Sequence, residues 1–247
     1  MTVVRTERIG SALLITIDRP EARNAVNAAV ATELSNALDE LENTPELRVG
    51  VLTGAGGTFS AGMDLKAALK GESPEIPGRG FGGLTEAALT KPLIAAVEGF
   101  AMGGGFELAL GCDLIVAAED AKFGLPEVKR GLIAAGGGVV RLPERIPHHL
   151  AMEILLTGEP IDGSRAGSLG LANRVVANGE AAAVALQLAA KIAENAPLAL
   201  AAVKNVVRSQ DRWAAQRAEA ARLMTTADVR EGMTAFAERR APQWTGR

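Results

Sequence analysis

Two glutamates stand among residues that offer them little water. Glu107 lies in FAMGGGFELALGCDLI, residues 100–115, directly behind Gly103–Gly105 and inside an otherwise apolar run. Glu127 follows Pro126 in AKFGLPEVKRGLIAAGGGVVRL, residues 121–142, ahead of another glycine cluster that opens a helix. A carboxylate in such a run needs a partner or a task. If a helix begins within Gly103–Gly105, its first N–H groups lack intrahelical partners, and its dipole makes that end electropositive. Such an end suits an oxygen that acquires negative charge. Glu107, three residues beyond Gly104, then stands one turn up on the same side. The segment alone leaves two uses open: the carboxylate flanks a polarised ligand, or it favours the helix N-terminus as a first-turn acid. A third segment, GTFSAGMDL, residues 57–65, puts Ala61, Gly62 and Met63 in a tight turn where backbone N–H groups can point at a ligand.

Elements that could position these groups follow from the periodicity. VVRTER and ALLITID read as a strand pair turned at Gly10, and AVATELSNALDELEN has apolar residues at helical spacing. The strand-like RVGVLTG follows, then the loop KGESPEIPGRG, a short helix near LTEAAL, the strand LIAAVEG, a helix after the glycines and a strand at DLIVAA. From about Gly136 the pattern turns helical: GGVVRLPERI, HHLAMEILLTG, EAAAVALQLAAKIAEN, PLALAAVKNVVRSQ and a last helix near Ala227 to Arg240, with the strand-like ANRVV between. An α/β fold of repeated strand-strand-helix units is expected, with layered parallel sheets and helices outside. The composition changes near residue 180, which divides the chain into 1–180 and 181–247.

Composition excludes several classes. A chain of 247 residues that is 48% apolar can bury a large core. A net charge of -3, two Trp and no Tyr give nucleic acid neither a basic field nor bases to stack on. Cys112 is the single cysteine, so there is no internal disulfide framework, and a reducing cytoplasm is the expected setting. Charges at Arg5, Glu7 and Arg8 interrupt any signal-like start, and no run of about 18 apolar residues suits a membrane span, so a soluble, unprocessed chain is expected. Gly78, Gly80 and Gly83 spell GxGxxG, but the preceding GESPEIP is no buried strand. GAGGTF after RVGVLT has Phe59 where the third glycine belongs. Adjacent His148 and His149 point about 100° apart on a helix and do not share a metal. Ser60 lies in FSAG and not in GxSxG, so a serine hydrolase is not indicated.

FSAGMDLK, GFAMGGGFELALGCDL and FGLPEVKRGL, in this order and spacing, resemble the crotonase (enoyl-CoA hydratase/isomerase) superfamily. IDRPEARNAVN, LLTGEPIDGSRAGSLGLANRVV and AFAERRAPQW extend the likeness over nearly the whole chain. The resemblance implies the crotonase fold, with residues 1–180 as a superhelix of ββα turns carrying the site and 181–247 as a helical region for assembly into a homotrimer, or a hexamer made of two trimers. It implies an acyl-CoA thioester whose carbonyl oxygen is held by the N–H groups of Met63 and Gly104. Both hydratase carboxylates of the family fall on Glu107 and Glu127. The implied reaction is reversible addition of water across the 2,3 double bond of a 2-enoyl-CoA, with Glu127 exchanging the proton at C2 and with no metal or redox cofactor. Coenzyme A would lie along Glu21, Ala22, Arg23, Ala25, Ala61 and Lys66, with Arg23 and Lys66 offering charge to phosphate. Asp64 beside the turn is expected to stabilise it or a helix start. The chain departs from the family pattern at Ala135–Val139, which reads AGGGV where GAGGT is common, and in the short loop KGESPEIPGRGFGG. GLPEVKRGL with GGGVVRLPERIP also resembles the carnitinyl-CoA dehydratase branch, which is kept as the alternative substrate. An isomerase that moves a double bond and a non-catalytic acyl-CoA binding protein are the further alternatives.

Overall fold

The computed structural model describes residues 2–247. Strands β1 (Val4–Ile9) and β2 (Ala12–Ile17) form an antiparallel hairpin turned at Gly10, whose φ of 58° suits glycine. Helix α1 (Ala28–Asn43) starts where the Asn27 side chain accepts from Val30 N–H at 3.1 Å, and it buries Val30, Leu34, Leu38 and Leu41. Next come β3 (Val49–Gly54), the short α2 (Leu65–Ala68), and the small hairpin β4 (Glu75–Ile76) with β5 (Gly80–Phe81).

Successive units then repeat. Strand β6 (Leu93–Val97) leads to β7 (Phe100–Met102) and α3 (Gly104–Gly111); β8 (Leu114–Ala118) leads to β9 (Lys122–Gly124), a 3₁₀ turn at Pro126–Arg130 and α4 (Gly138–Arg145). The first strands of the units join one sheet and the second strands another, so the chain winds as a superhelix. Helix α5 (His148–Thr157), β10 (Ile161–Asp162), α6 (Gly163–Ser168) and β11 (Arg174–Val176) complete the core. The large sheet runs β1-β2-β3-β6-β8-β11, parallel from β2 onward, and the small sheet runs β10-β9-β7. A parallel bridge from Ser60 to Ala101 extends the small sheet by the segment after β3. Three consecutive units therefore leave the small sheet side by side, at residues 60, 102 and 124.

Alternation along the buried strands serves two cores. Leu13, Ile15, Leu52, Ala95 and Val97 face the main core with α1 and α3, while Val49, Val51, Ile94, Ala96 and Val116 face the opposite side. Helix α7 (Ala181–Ala193) covers that side with Ala181, Ala185 and Ala189, a small-residue stripe that lets helix and sheet approach closely. Although α7 follows residue 180, it belongs to the layered core. Helices α8 (Pro197–Arg208), α9 (Arg212–Leu223) and α10 (Ala227–Glu238) project beyond it. Buried Lys204 on α8 tethers them, pairing with Asp113 at 2.6 Å and donating to the Lys91 carbonyl.

The helix expected near LTEAAL is absent: residues 84–86 form turns and residues 87–89 are irregular. Positive φ at Gly82 and Gly83 precedes this stretch, and Arg141 takes its Thr85 carbonyl, which an α-helix would need for the Leu89 N–H. Lys204→Met should lower unfolding stability by about 2 kcal/mol in urea titrations, because it leaves the half-buried Asp113 short of a partner.

Candidate active site

Close backbone approach builds the first half of the site. Ser60 N–H donates to the Phe100 carbonyl and Met102 N–H to the Ser60 carbonyl, at 2.8 and 3.0 Å. Past Ser60 the chain turns at Gly62, whose φ of 90° and proximity to the Met102 carbonyl exclude a side chain. The Ser60 hydroxyl holds this turn, accepting from Gly62 N–H at 3.1 Å and donating to the Asn24 carbonyl at 2.8 Å. Asn24 is fully buried and pins its own loop to the same region through the Ala55 and Thr58 carbonyls. Val26 donates to the Gly62 carbonyl and accepts from Asp64 N–H. A strand-like bridge of this kind engages residues 62 and 64, so the N–H of Met63 between them points away.

Helix α3 begins opposite this turn. Gly103, at φ 54°, donates to the Gly124 carbonyl, and no side chain caps the helix. A side chain on Gly104 would enter the Phe81 ring, and one on Gly105 would strike the Ser60 carbonyl. The glycine triplet is thus a packing requirement as well as an open helix end. Among the described residues, neither Met63 N–H nor Gly104 N–H has a partner within the chain, and both residues line one cleft. Two unpaired donors, one at the electropositive end of a helix, can stabilise an oxygen that gains negative charge.

The carboxyls complete the site. Glu107, in the first turn of α3, is 4% exposed, and its Oε1 accepts from Gly138 N–H at 2.9 Å. Side chains at Gly136 or Gly138 would press on this carboxyl, so the glycine run before α4 fits around it. Burial pushes the Glu107 carboxyl up to about 7; the Gly138 and Gly136 backbone groups pull the other way, while the charges of Glu127 and Glu75 add to the rise. Glu127 lies in the 3₁₀ turn that Gly131 closes in a left-handed conformation. Burial also raises its carboxyl above the ordinary range, against its own backbone N–H and Arg130. Its Oε2 is buried without a partner. The arrangement offers two carboxyls that compete for protons beside two free donors, a set able to move protons next to a developing oxyanion.

The cleft has a volume of about 320 Å³. Met63, Gly104 and Glu127 line it with Ala61 and Arg23, whereas Glu107 sits behind it. Glu21 and Ala22 occupy a 3₁₀ turn beside Arg23, Ala25 lends its carbonyl to Arg19, and Lys66 is exposed on α2; none of these lines the cleft. Asp64 caps α2 through Ala67 N–H and pairs with Arg19 at 3.1 Å; burial raises its carboxyl, but these partners outweigh it and hold it below its ordinary value. Phe100, Met102, Arg130 and Leu132 also line the cleft, and sequence reasoning did not single them out. Arg130 had a signal, one helical turn after Glu127; the others had none beyond polarity. Cys112 is buried, with its thiol pushed up to about 12, and takes no part. Among the described residues, no three His, Cys, Asp or Glu could share a metal ion, and no helix is long and apolar enough to cross a membrane.

Residues 7–247 match the family described as enoyl-CoA hydratase/isomerase. Similar relatives include the carnitinyl-CoA dehydratase of Escherichia coli K12, 44% identical over 255 aligned positions and 97% of each chain. The protein of that name from Proteus mirabilis is 42% identical over 96% of each. Among solved structures, an enoyl-CoA hydratase from Mycobacterium tuberculosis H37Rv is 51% identical over the full length of both chains, with a TM-score of 0.96. A carnitinyl-CoA hydratase from Mycobacterium avium is 47% identical over both full lengths, with a TM-score of 0.82.

Since the Glu127 charge contributes to the raised Glu107 carboxyl, Glu127→Gln should move the Glu107 titration downward from about 7. Carbon-13 NMR of labelled glutamate side chains reads this shift, and an unmoved or upward titration would show that the two carboxyls do not sense each other.

Proposed function

The chain belongs to the enoyl-CoA hydratase/isomerase family, and on that premise we propose that it is a hydro-lyase that reversibly adds water across the 2,3 double bond of a 2-enoyl-CoA. The observation that carries this reading is the pair of raised carboxyls, Glu107 and Glu127, beside the unpaired Met63 and Gly104 N–H groups. In this mechanism the thioester carbonyl oxygen accepts from those two N–H groups. Each such donor typically contributes about 3 kcal/mol as negative charge develops on the oxygen. Glu107 and Glu127 hold one water between them and share one proton. The anionic member accepts a proton as the water oxygen bonds to C3, and the electrons of the double bond move onto the thioester as an enolate. Glu127, whose Oε2 is buried without a partner at the edge of the cleft, returns a proton to C2. Water has then supplied OH to C3 and H to C2, and the pair has regained its proton count. Dehydration of a 3-hydroxyacyl-CoA runs through the same groups in reverse.

The pantetheine and nucleotide of the substrate run along Ala61 and Arg23, with Glu21, Ala22, Ala25 and Lys66 further out. Arg23 and Lys66 supply charge to phosphates. The reaction needs no metal or redox cofactor. Relatives named carnitinyl-CoA dehydratase, 42–44% identical over nearly the whole length, make the carnitinyl thioester the second candidate substrate. Isomerisation needs one base to carry a proton between C2 and C4, so the paired carboxyls disfavour it. An intact pair with two free donors likewise disfavours a purely binding role. Residues 181–247 are read as the assembly region, anchored to the core through α7: Val203, Val207, Trp213, Met224, Met233 and Phe236, at 60–86% exposure on and beside α8–α10, suit a trimer or a hexamer. The working location is the cytoplasm, which keeps the single thiol reduced.

Loss of enoyl-thioester ultraviolet absorbance across trans-2-enoyl-CoA esters, from crotonyl to long chain and including crotonobetainyl-CoA, tests this assignment. Rapid loss is expected with at least one ester. Glu107→Gln and Glu127→Gln should each slow turnover by about 10²–10⁴-fold while CoA-ester binding survives. A silent panel in protein that binds the esters, or full turnover in both variants, would overturn the reading.

A further inference from the structure

The glycine run that donates to Glu107 has no side chains of its own to hold it. Residues 132–137 lie outside helix and strand, and among the described residues the Gly136 carbonyl accepts only from a side chain. That side chain is Arg141, half-buried on the first turns of α4. Its Nη1 donates to the Gly136 carbonyl at 3.2 Å, and its Nη2 donates to the Thr85 carbonyl. Gly137, at φ 103°, leaves room for the guanidinium, since a Cβ there would strike Nη1. Thr85 N–H in turn donates to the Phe81 carbonyl, and the Phe81 ring packs over Gly104. One planar fork with fixed donors therefore spans the two loops. One loop presents Gly138 N–H to Glu107, and the other places an aromatic ring against the helix end beside the cleft.

We propose that Arg141 is a positioning residue of this site: by bridging the Gly136 and Thr85 carbonyls, it holds the glycine loop on the Glu107 carboxyl and the Phe81 ring on Gly104. This rests on the hydratase reading. Arg141 touches neither the cleft nor the reacting atoms, so it acts through the groups it holds. The groups that face Glu107 are the Gly138 and Gly136 backbone, which favour its charged form, and Glu127 and Glu75, which disfavour it. Loosening the glycine loop withdraws those donors and also admits water to a carboxyl whose rise comes first from burial. The Glu107 titration must then leave its wild-type position.

Arg141→Met and Arg141→Lys separate this role from plain charge loss, because Lys keeps the charge but reaches at most one carbonyl at a time. In the hydration assay both variants should lower kcat by about 10- to 100-fold, the scale of a misplaced catalytic group, with KM changed less than about threefold. The Glu107 carboxyl signal in carbon-13 NMR should titrate away from its wild-type position in both. Wild-type kcat with an unmoved titration in Arg141→Lys would overturn the proposal. So would a change in KM alone, or reduced thermal stability with an unchanged titration. If Arg141→Met does not fold, Arg141→Lys decides. If the wild-type protein hydrates no ester, the hydratase reading fails, and the NMR titration of Arg141→Lys still tests whether Arg141 sets the Glu107 environment.

Discussion

Everything at this site depends on backbone packing against backbone where the chain leaves the small sheet. The Ser60 carbonyl accepts from Met102 N–H, and Gly105 lies so close to the same carbonyl that no side chain fits between. Gly62 meets the Met102 carbonyl nearly as closely from the other unit. Strands in neighbouring units stand at the sheet spacing of roughly 4.8 Å, so whatever follows each strand emerges at a similar separation. Met63, Gly104 and Glu127 follow three such exits, at Ser60, Met102 and Gly124. The superhelix thus gathers residues far apart in sequence without a dedicated loop to reach across. Glycine is entropically costly, and the rigid pairing on both sides is what fixes these glycines in one conformation.

Burial then converts geometry into chemistry. Glu107 is almost wholly shielded from solvent and keeps one firm hydrogen bond, from Gly138 N–H. In a low-polarity surrounding that single bond, and the nearby Glu127 charge, both weigh more than they would in water. A few neutral N–H groups therefore oppose the penalty of burial, and the carboxyl comes to rest at about 7, near the range where it can give or take a proton. An apolar pocket without those donors would keep the acid protonated, and a wetter one would keep it ionised.

Much of this was legible in the sequence because period and composition agree. Strands β2, β3, β6 and β8 of the large sheet read as apolar runs, and α1, α7 and α8 as helices, since burial on one or both faces leaves those patterns. Strands β7 and β9 left no such trace: three residues each, they are strands because neighbours pair with them. Helix α9 buries no residue in this chain and so carries no apolar period. The carboxyls and the open helix end stood out as charge and glycine in apolar runs. The identity of the second donor, Met63, came from family resemblance, because its exposure is decided by how Val26 engages residues 62 and 64. The donor to Glu107 was hidden in the same way, 31 residues along the chain and within a run of glycines that reads as an ordinary loop.

The two carboxyls are not equivalent, and the difference follows from where each unit ends. Glu107 sits within a helix, one turn beyond the exit of its strand, so it is sheathed by α3 and by the glycines before α4. Glu127 comes sooner after its strand, on a 3₁₀ turn at the edge of the cleft, with one oxygen beside Gly103 and the other without a partner. A pair made from like groups in unlike surroundings can hold a single proton asymmetrically, which two carboxyls in equal surroundings would not. The asymmetry has a structural cause, because a helix and a 3₁₀ turn place a side chain at different depths from the same sheet edge. In the proposed reaction that difference in depth divides the labour: the enclosed group keeps its bonded orientation through the cycle, and the group at the cleft edge meets the substrate carbon.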